Sequence, residues 1–249
     1  MTVPQSQQKG TSAERLIVAL DVASAHEADR IVAELLGLGC AFKVGLQLFT
    51  AAGPEFVRKL AVENRIFLDL KFHDIPNTVA KAAVEAARLG VWLMNVHAMG
   101  GREMMLRCKN ELDGVYQKEG HKPKVIAVTV LTSSDANALT QVGIERGVEE
   151  MVLNLARITA ECGLDGVVAS VRETRAIRAA VPNKDFLIVT PGIRPSRATF
   201  DDQKRVATPG GAIAAGSDFL VVGRPIVGAA DRRSALQAII TEIKEAISS

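Results

Sequence analysis

The chain has 249 residues, a formal net charge of +2 and 48% hydrophobic residues. That size and composition suit one large domain or two small ones around a substantial core, and exclude a disordered or collagen-like chain. No apolar run approaches the ~18 residues that span a bilayer, and an aromatic content of 4% is thin for a platform that stacks nucleic-acid bases.

The first segment, 1–12, is polar and rich in Gln, Ser and Thr, without the apolar stretch of a secretory signal. It reads as a flexible tail on a cytoplasmic protein, with 13–249 as a single domain. From there, short apolar runs alternate with longer helical patterns. The runs at 16–22, 41–46, 66–71, 92–98, 124–131, 166–170, 186–191 and 219–223 are nearly continuous in hydrophobic residues. Parallel strands covered on both sides read this way. Helical periodicity occupies 25–38, 54–62, 79–89, 101–119, 147–162, 172–180 and 229–247. Pro76 and Asn77 mark the entry to the third helix. The stretch 209–215 supplies a short helix before the last strand. Eight strand–helix units in this length match a (β/α)₈ TIM barrel; the same alternation also suits a doubly wound open sheet. The least helical stretch is 192–208, and a loop of that length is usually functional or disordered. Cys40, Cys108 and Cys162 are odd in number and far apart, which points to reduced thiols rather than a disulfide framework or zinc knuckle.

The informative residues are charges that close apolar runs. Asp21 ends the first, Lys43 lies in the second, Asp69 and Lys71 end the third, and Asp74 follows in the turn. Asp69 and Lys71 are two apart and share one side of their strand. The C-terminal ends of barrel strands line the active-site face, so several of these charges are expected to meet in one cleft. A structural ion-pair network is the plain alternative for any one of them. For five charges on three successive strands it is the weaker reading, since uncompensated burial is expensive. Alternating Asp and Lys hold a lysine protonated, suiting it to general-acid work better than to Schiff-base chemistry.

Thr-Pro-Gly-Ile-Arg194 follows the seventh strand and Val-Val-Gly223-Arg224-Pro the eighth, where such barrels bind phosphate. Glycines let backbone approach an anion, and either arginine can grip it with a bidentate fork. Each motif alone also reads as a turn with a surface arginine. His73 and His97 close the third and fourth strands without a ligand set around them, so His73 is read as a packing or supporting residue. The turn at 131–134 can hydrogen-bond a ligand or cap the next helix. No Gly-rich dinucleotide or P-loop motif is present.

These motifs together resemble the bacterial orotidine 5′-phosphate decarboxylase family, over essentially the whole chain from Arg15. The stretch Asp69-Leu-Lys-Phe-His-Asp-Ile-Pro-Asn-Thr78 looks like that family's signature. Leu-Asp21, Phe-Lys43-Val-Gly, Val-Leu-Thr132-Ser, Thr-Pro-Gly-Ile-Arg194-Pro, Asp202-Gln203-Lys-Arg and Val-Val-Gly-Arg224-Pro match beside it. The resemblance implies a (β/α)₈ barrel that decarboxylates orotidine 5′-monophosphate to uridine 5′-monophosphate in pyrimidine biosynthesis, as a homodimer and without metal or organic cofactor. It makes Lys71 the proton donor to C6, within a charged array of Lys43, Asp69, Lys71 and Asp74. Asp74, Ile75 and Thr78 would reach the partner's site. Asp21 and Lys43 would contact the ribose, Thr132 the pyrimidine, and Gln203, Gly223 and Arg224 the phosphate, with Arg194 in the same substrate-binding set. Phosphate binding would drive closure of the 192–208 loop. Two rivals remain: a Mg²⁺-dependent sugar-phosphate barrel sharing Asp-x-Lys-x-x-Asp, which Lys43 on the second strand disfavours, and a non-catalytic phosphometabolite-binding barrel.

Overall fold

A computed structural model describes residues 11–195 and 207–248. Eight parallel strands form a closed barrel in sequence order: β1 (Leu16–Ala19), β2 (Ala41–Gly45), β3 (Ile66–Phe72), β4 (Leu93–His97), β5 (Lys124–Val128), β6 (Gly166–Val168), β7 (Leu187–Thr190) and β8 (Phe219–Val222). β8 pairs back onto β1, with Leu16 opposite Leu220 and Val18 opposite Val222. That pairing removes both sheet edges and rules out the open-sheet alternative.

The helices are α1 (Ala25–Leu35), α2 (Leu46–Ala61), α3 (Pro76–Ala87), α4 (Gly101–Glu119), α5 (Ala136–Gln141), α6 (Val148–Glu161), α7 (Val171–Ala180), α8 (Pro209–Ala215), α9 (Arg224–Val227) and α10 (Arg232–Ser248). Their starts have local causes. Ser24 accepts the Glu27 N–H ahead of α1, Pro76 opens α3, and Thr208 accepts the Gly211 N–H ahead of α8.

Strand alternation divides the core into two layers. Ile17, Ala41, Phe67, Leu93, Ile126, Val189 and Val221 fill the barrel interior. Leu16, Val18, Phe42, Val44, Ile66, Leu68, Met94 and Val96 face outward beneath the helices. The interior positions therefore run straight up into the site. Lys43 follows Ala41, Asp69 follows Phe67, and Asn95 follows Leu93, each two residues closer to the C-terminal mouth.

Every expected strand forms, though most are shorter than read. β1 stops at Ala19, so Asp21 lies beyond the strand it was expected to close. α2 begins eight residues before the expected start at Pro54. Gly53, at φ 75°, breaks it internally, and the segment ahead of that break is too short to show a period. α9, of four residues, was not anticipated for the same reason, and α5, of six, was foreseen only as the helix that the 131–134 turn could cap. The expected tail lies outside the described residues over 1–10.

Candidate active site

The site is a chain of charges at the C-terminal mouth of the barrel. Lys43 Nζ lies 3.0 Å from Asp21 Oδ1 and 3.2 Å from Asp69 Oδ2. Lys71 Nζ lies 2.7 Å from Asp69 Oδ1. Asp69 thus bridges two ammonium groups, one through each oxygen. Lys43 and Asp69 are buried, with side chains 9% and 13% exposed, while that of Lys71 is 32% exposed. Lys71 is therefore the more accessible of the two lysines, backed by a buried pair.

Burial and charge oppose each other here, and charge wins. Burial pulls the Lys43 pKa down, but the carboxylates of Asp69 and Asp21 raise it above the ordinary lysine value. Burial pushes Asp69 up, but Lys43 and Lys71, with hydrogen bonds from Lys71 and Asn95, hold it below the usual carboxylate range. Lys43 and Asp69 are both ionised at neutral pH.

Two cavities meet at this array. A polar one of about 370 Å³ is lined by Asp21, Lys43, Asp69, Lys71, Arg194, Gly223 and Arg224, with Ala19, Gly45, Leu46, Pro191, Gly192 and Val221. A second, about 160 Å³ and mostly apolar, is walled by Phe67, Val128, Val130, Leu131, Thr132 and Val168. Lys43, Asp69, Lys71, Pro191 and Val221 border both. One bound molecule can thus place an anionic tail at the arginines and a flat ring beside Thr132, with Lys71 at the junction of the two cavities.

The loop that carries Arg194 is pinned at this mouth. Ile193 and Ala207 form a parallel bridge, and Arg194 N donates to Ala207 O at 2.9 Å. At Gly223 an added Cβ would make only ordinary contacts, 3.5 Å from Ala19 Cβ and 3.6 Å from Asp21 Oδ2. Gly45 is tighter, its Cβ falling 3.0 Å from Lys43 Nζ.

Of the expected site residues, Asp21, Lys43, Asp69, Lys71, Thr132, Arg194, Gly223 and Arg224 border these two cavities. Asp74, Ile75 and Thr78 do not. They are exposed at the start of α3, where Asp74 Oδ1 accepts the Ile75 N–H at 2.7 Å. Among the described residues Asp74 forms no ion pair, so in one chain it stands apart from the lysine array. Gln203, with Asp202, lies outside the described residues, as does 196–206 of the loop expected to close. Capping of α5 falls to Asp135, which accepts the Ala138 N–H, leaving Thr132 to the cavity. The His73 and His97 rings stack with centroids 5.3 Å apart. His97 accepts the Met99 N–H through Nδ1, and burial, then the charges of His73 and Lys71, lower its pKa. Among the described residues no cluster of three or more His, Cys, Asp or Glu side chains could hold a metal ion.

Asn95 is the residue that sequence reasoning missed. It donates to Asp69 Oδ1 at 2.7 Å and accepts the Lys71 N–H at 2.8 Å. Its only trace in the sequence is an uncharged polar residue inside the apolar run Leu-Met-Asn-Val.

Fold and site together define a (β/α)₈-barrel enzyme with a lysine–carboxylate centre. A model of the orotidine 5′-phosphate decarboxylase / HUMPS family matches residues 14–239. Two relatives named orotidine 5′-phosphate decarboxylase are each 53% identical: that of Syntrophotalea carbinolica covers 94% of this chain and 96% of its own, and that of Geobacter sulfurreducens 92% and 96%. The crystal structure of orotidine 5′-phosphate decarboxylase from Lactobacillus acidophilus superposes with a TM-score of 0.81 at 39% identity, covering 92% of this chain and 99% of that one. The chain belongs to the orotidine 5′-phosphate decarboxylase / HUMPS family.

Proposed function

We propose that this enzyme decarboxylates orotidine 5′-monophosphate to uridine 5′-monophosphate and CO₂ in pyrimidine biosynthesis, with Lys71 as the proton donor to C6. The observation that carries this reading is the Lys43–Asp69–Lys71 chain at the junction of the two cavities. Loss of CO₂ leaves an electron pair on a ring carbon with no conjugated sink. An ammonium held beside that carbon stabilises the developing charge and then delivers its proton there. Asp69 holds the Lys71 ammonium by a hydrogen bond at the junction of the two cavities.

In this reading the pyrimidine occupies the apolar cavity beside Thr132, and Asp21 and Lys43 contact the ribose. Arg194, Gly223, Arg224 and Gln203 hold the phosphate. That grip lies away from the reacting carbon, so its binding energy serves orientation at Lys71. The reaction so written needs no metal or organic cofactor. A Mg²⁺-dependent sugar-phosphate chemistry would want a cation near Asp21 and Asp69, where the Lys43 ammonium already lies 3.0 and 3.2 Å from the two carboxylates.

The enzyme acts as a homodimer, with Asp74, Ile75 and Thr78 completing the partner's site. Support comes from the exposed apolar side chains Leu46, Ile75, Met99 and Leu131, which follow four successive strands around the mouth. The three cysteines are free thiols, in keeping with a cytoplasmic setting, and the closed barrel supports one domain over 13–249 after a tail at 1–12.

The test is a continuous ultraviolet assay of orotidine 5′-monophosphate in excess EDTA. Wild type should turn over unaffected by the chelator, and Lys71→Ala should lose at least about 10³-fold in kcat. A folded wild type without turnover would overturn the reading and direct the assay to keto-sugar phosphates with Mg²⁺.

A further inference from the structure

Behind the Asp69 carboxylate lies Asn95, a residue with no part in the chemistry proposed above. It is in phase with Leu93 on β4, so its side chain points into the barrel. It is fully buried and borders neither cavity, so it cannot touch a bound substrate. Its carboxamide makes two bonds that demand opposite chemistry. Oδ1 accepts the Lys71 N–H, and Nδ2 donates to Asp69 Oδ1. A backbone N–H needs an acceptor and a carboxylate needs a donor, so the amide fits in one orientation only.

The need for it comes from β3. Leu68 pairs with Met94, and pairing resumes with Phe72 opposite Val96. Four steps along β3 thus match two along β4, and the surplus bulges out carrying Asp69 and Lys71. Within the bulge Lys71 has φ 52°, alone among the described non-glycine residues in being left-handed. That conformation is unfavourable for a lysine and persists only where its surroundings over-determine it. The bulge takes the Lys71 N–H out of the strand ladder, and Asn95 supplies the replacement acceptor. The same amide fixes the oxygen of Asp69 that the Lys71 ammonium grips.

We propose that Asn95 is the positioning residue of this site: it locks the left-handed backbone of Lys71 and the rotamer of Asp69, and thereby aims the Lys71 ammonium. The inference rests on the reading of Lys71 as the acid. It separates two things a substitution can change, grip on the nucleotide and aim of the proton.

The experiment compares wild type, Asn95→Ala and Asn95→Asp for kcat, KM, calorimetric affinity for uridine 5′-monophosphate, and kcat against pH. Asn95→Ala is expected to lose about 10²-fold in kcat, the scale of an ångström-level misplacement, with nucleotide affinity within about threefold of wild type. Asn95→Asp keeps the acceptor for Lys71 but sets a second carboxylate against Asp69. Its kcat should be low at neutral pH and rise toward acid pH, where the protonated carboxyl regains a donor. Wild type should lack that rising limb. The titratable groups around this position are Asp69 and Lys71 on β3, Lys43 on β2, Asp21 after β1, and the stacked His73 and His97. All but the new carboxyl are common to both proteins, so the difference profile isolates it. Unchanged kcat in both variants, or a loss confined to KM and affinity, would overturn the proposal. If Asn95→Ala does not fold, the near-isosteric Asn95→Asp decides by its pH profile. If wild type itself proves inactive, the reading of Lys71 as the acid falls. A crystal structure of Asn95→Ala then still decides the geometry: Lys71 relaxed to negative φ supports the lock, and Lys71 unmoved refutes it.

Discussion

Asp69 is the electrostatic hinge of the site, because it is buried and neutralises two cations at once. Removing its charge leaves Lys43 with Asp21 alone and strips Lys71 of its carboxylate, a loss of about 3 kcal/mol. Asp69→Asn is therefore expected to melt well below wild type at neutral pH. The pH dependence follows from the directions of the shifts. The Asp69 pKa is depressed on folding, so its contribution is fully present above the unfolded value near ~3.9 and disappears as pH falls through the lower folded value. The Lys43 pKa is raised, so its contribution holds below the unfolded value near ~10.4 and disappears as pH rises through the folded one. Calorimetry across pH should show a constant gap between wild type and Asp69→Asn from about pH 5 to 9 that narrows below about pH 4. A gap that varies between pH 6 and 8 would point to a titrating group other than this pair.

Among the elements, β3 and β6 carry opposite devices. β3 departs from the ladder to aim its charges, whereas β6 is drawn unusually close to its neighbour. A Cβ on Gly166 would lie 2.2 Å from Leu187 O and 2.7 Å from Leu187 Cβ, with neighbouring backbone rather than a flexible side chain in the way. Gly166→Ala must therefore push β6 away from β7, at a cost of about 2–3 kcal/mol. Thermal unfolding of the variant should report that loss, while the charged array at β2 and β3, on the opposite wall, keeps its geometry. An alanine variant as stable as wild type would show that the two strands separate freely.

For the whole molecule, the open question in a single chain is Asp74, which the barrel leaves exposed and away from its own Lys71. If two chains share their sites, Lys71→Ala and Asp74→Ala are each inactive, but a mixed dimer holds one intact site. Random exchange makes half the dimers hybrid, so mixing should recover about a quarter of wild-type activity. No recovery despite exchange shown by mass spectrometry would refute the shared site.

Chain order and hydrophobic periodicity were enough to count eight strands, because both-sided burial writes itself as an unbroken apolar run. Charges that close such runs stand out against them for the same reason, which is why Asp21, Lys43, Asp69 and Lys71 were legible one by one. Their roles came from motif resemblance rather than from spacing. Closure of the sheet was not legible, since it depends on β8 meeting β1 across more than 200 residues. Nor was the β3 bulge, a feature of pairing register to which neither strand alone commits. Asn95 was hidden because one amide in an apolar strand has no pattern; its meaning lies in two hydrogen bonds to another strand. Local composition thus determined which residues are buried, which segments extend and where charge collects. Only the tertiary structure decided which charges touch, which backbone is strained and what holds it, because those depend on distances between segments that sequence order leaves free.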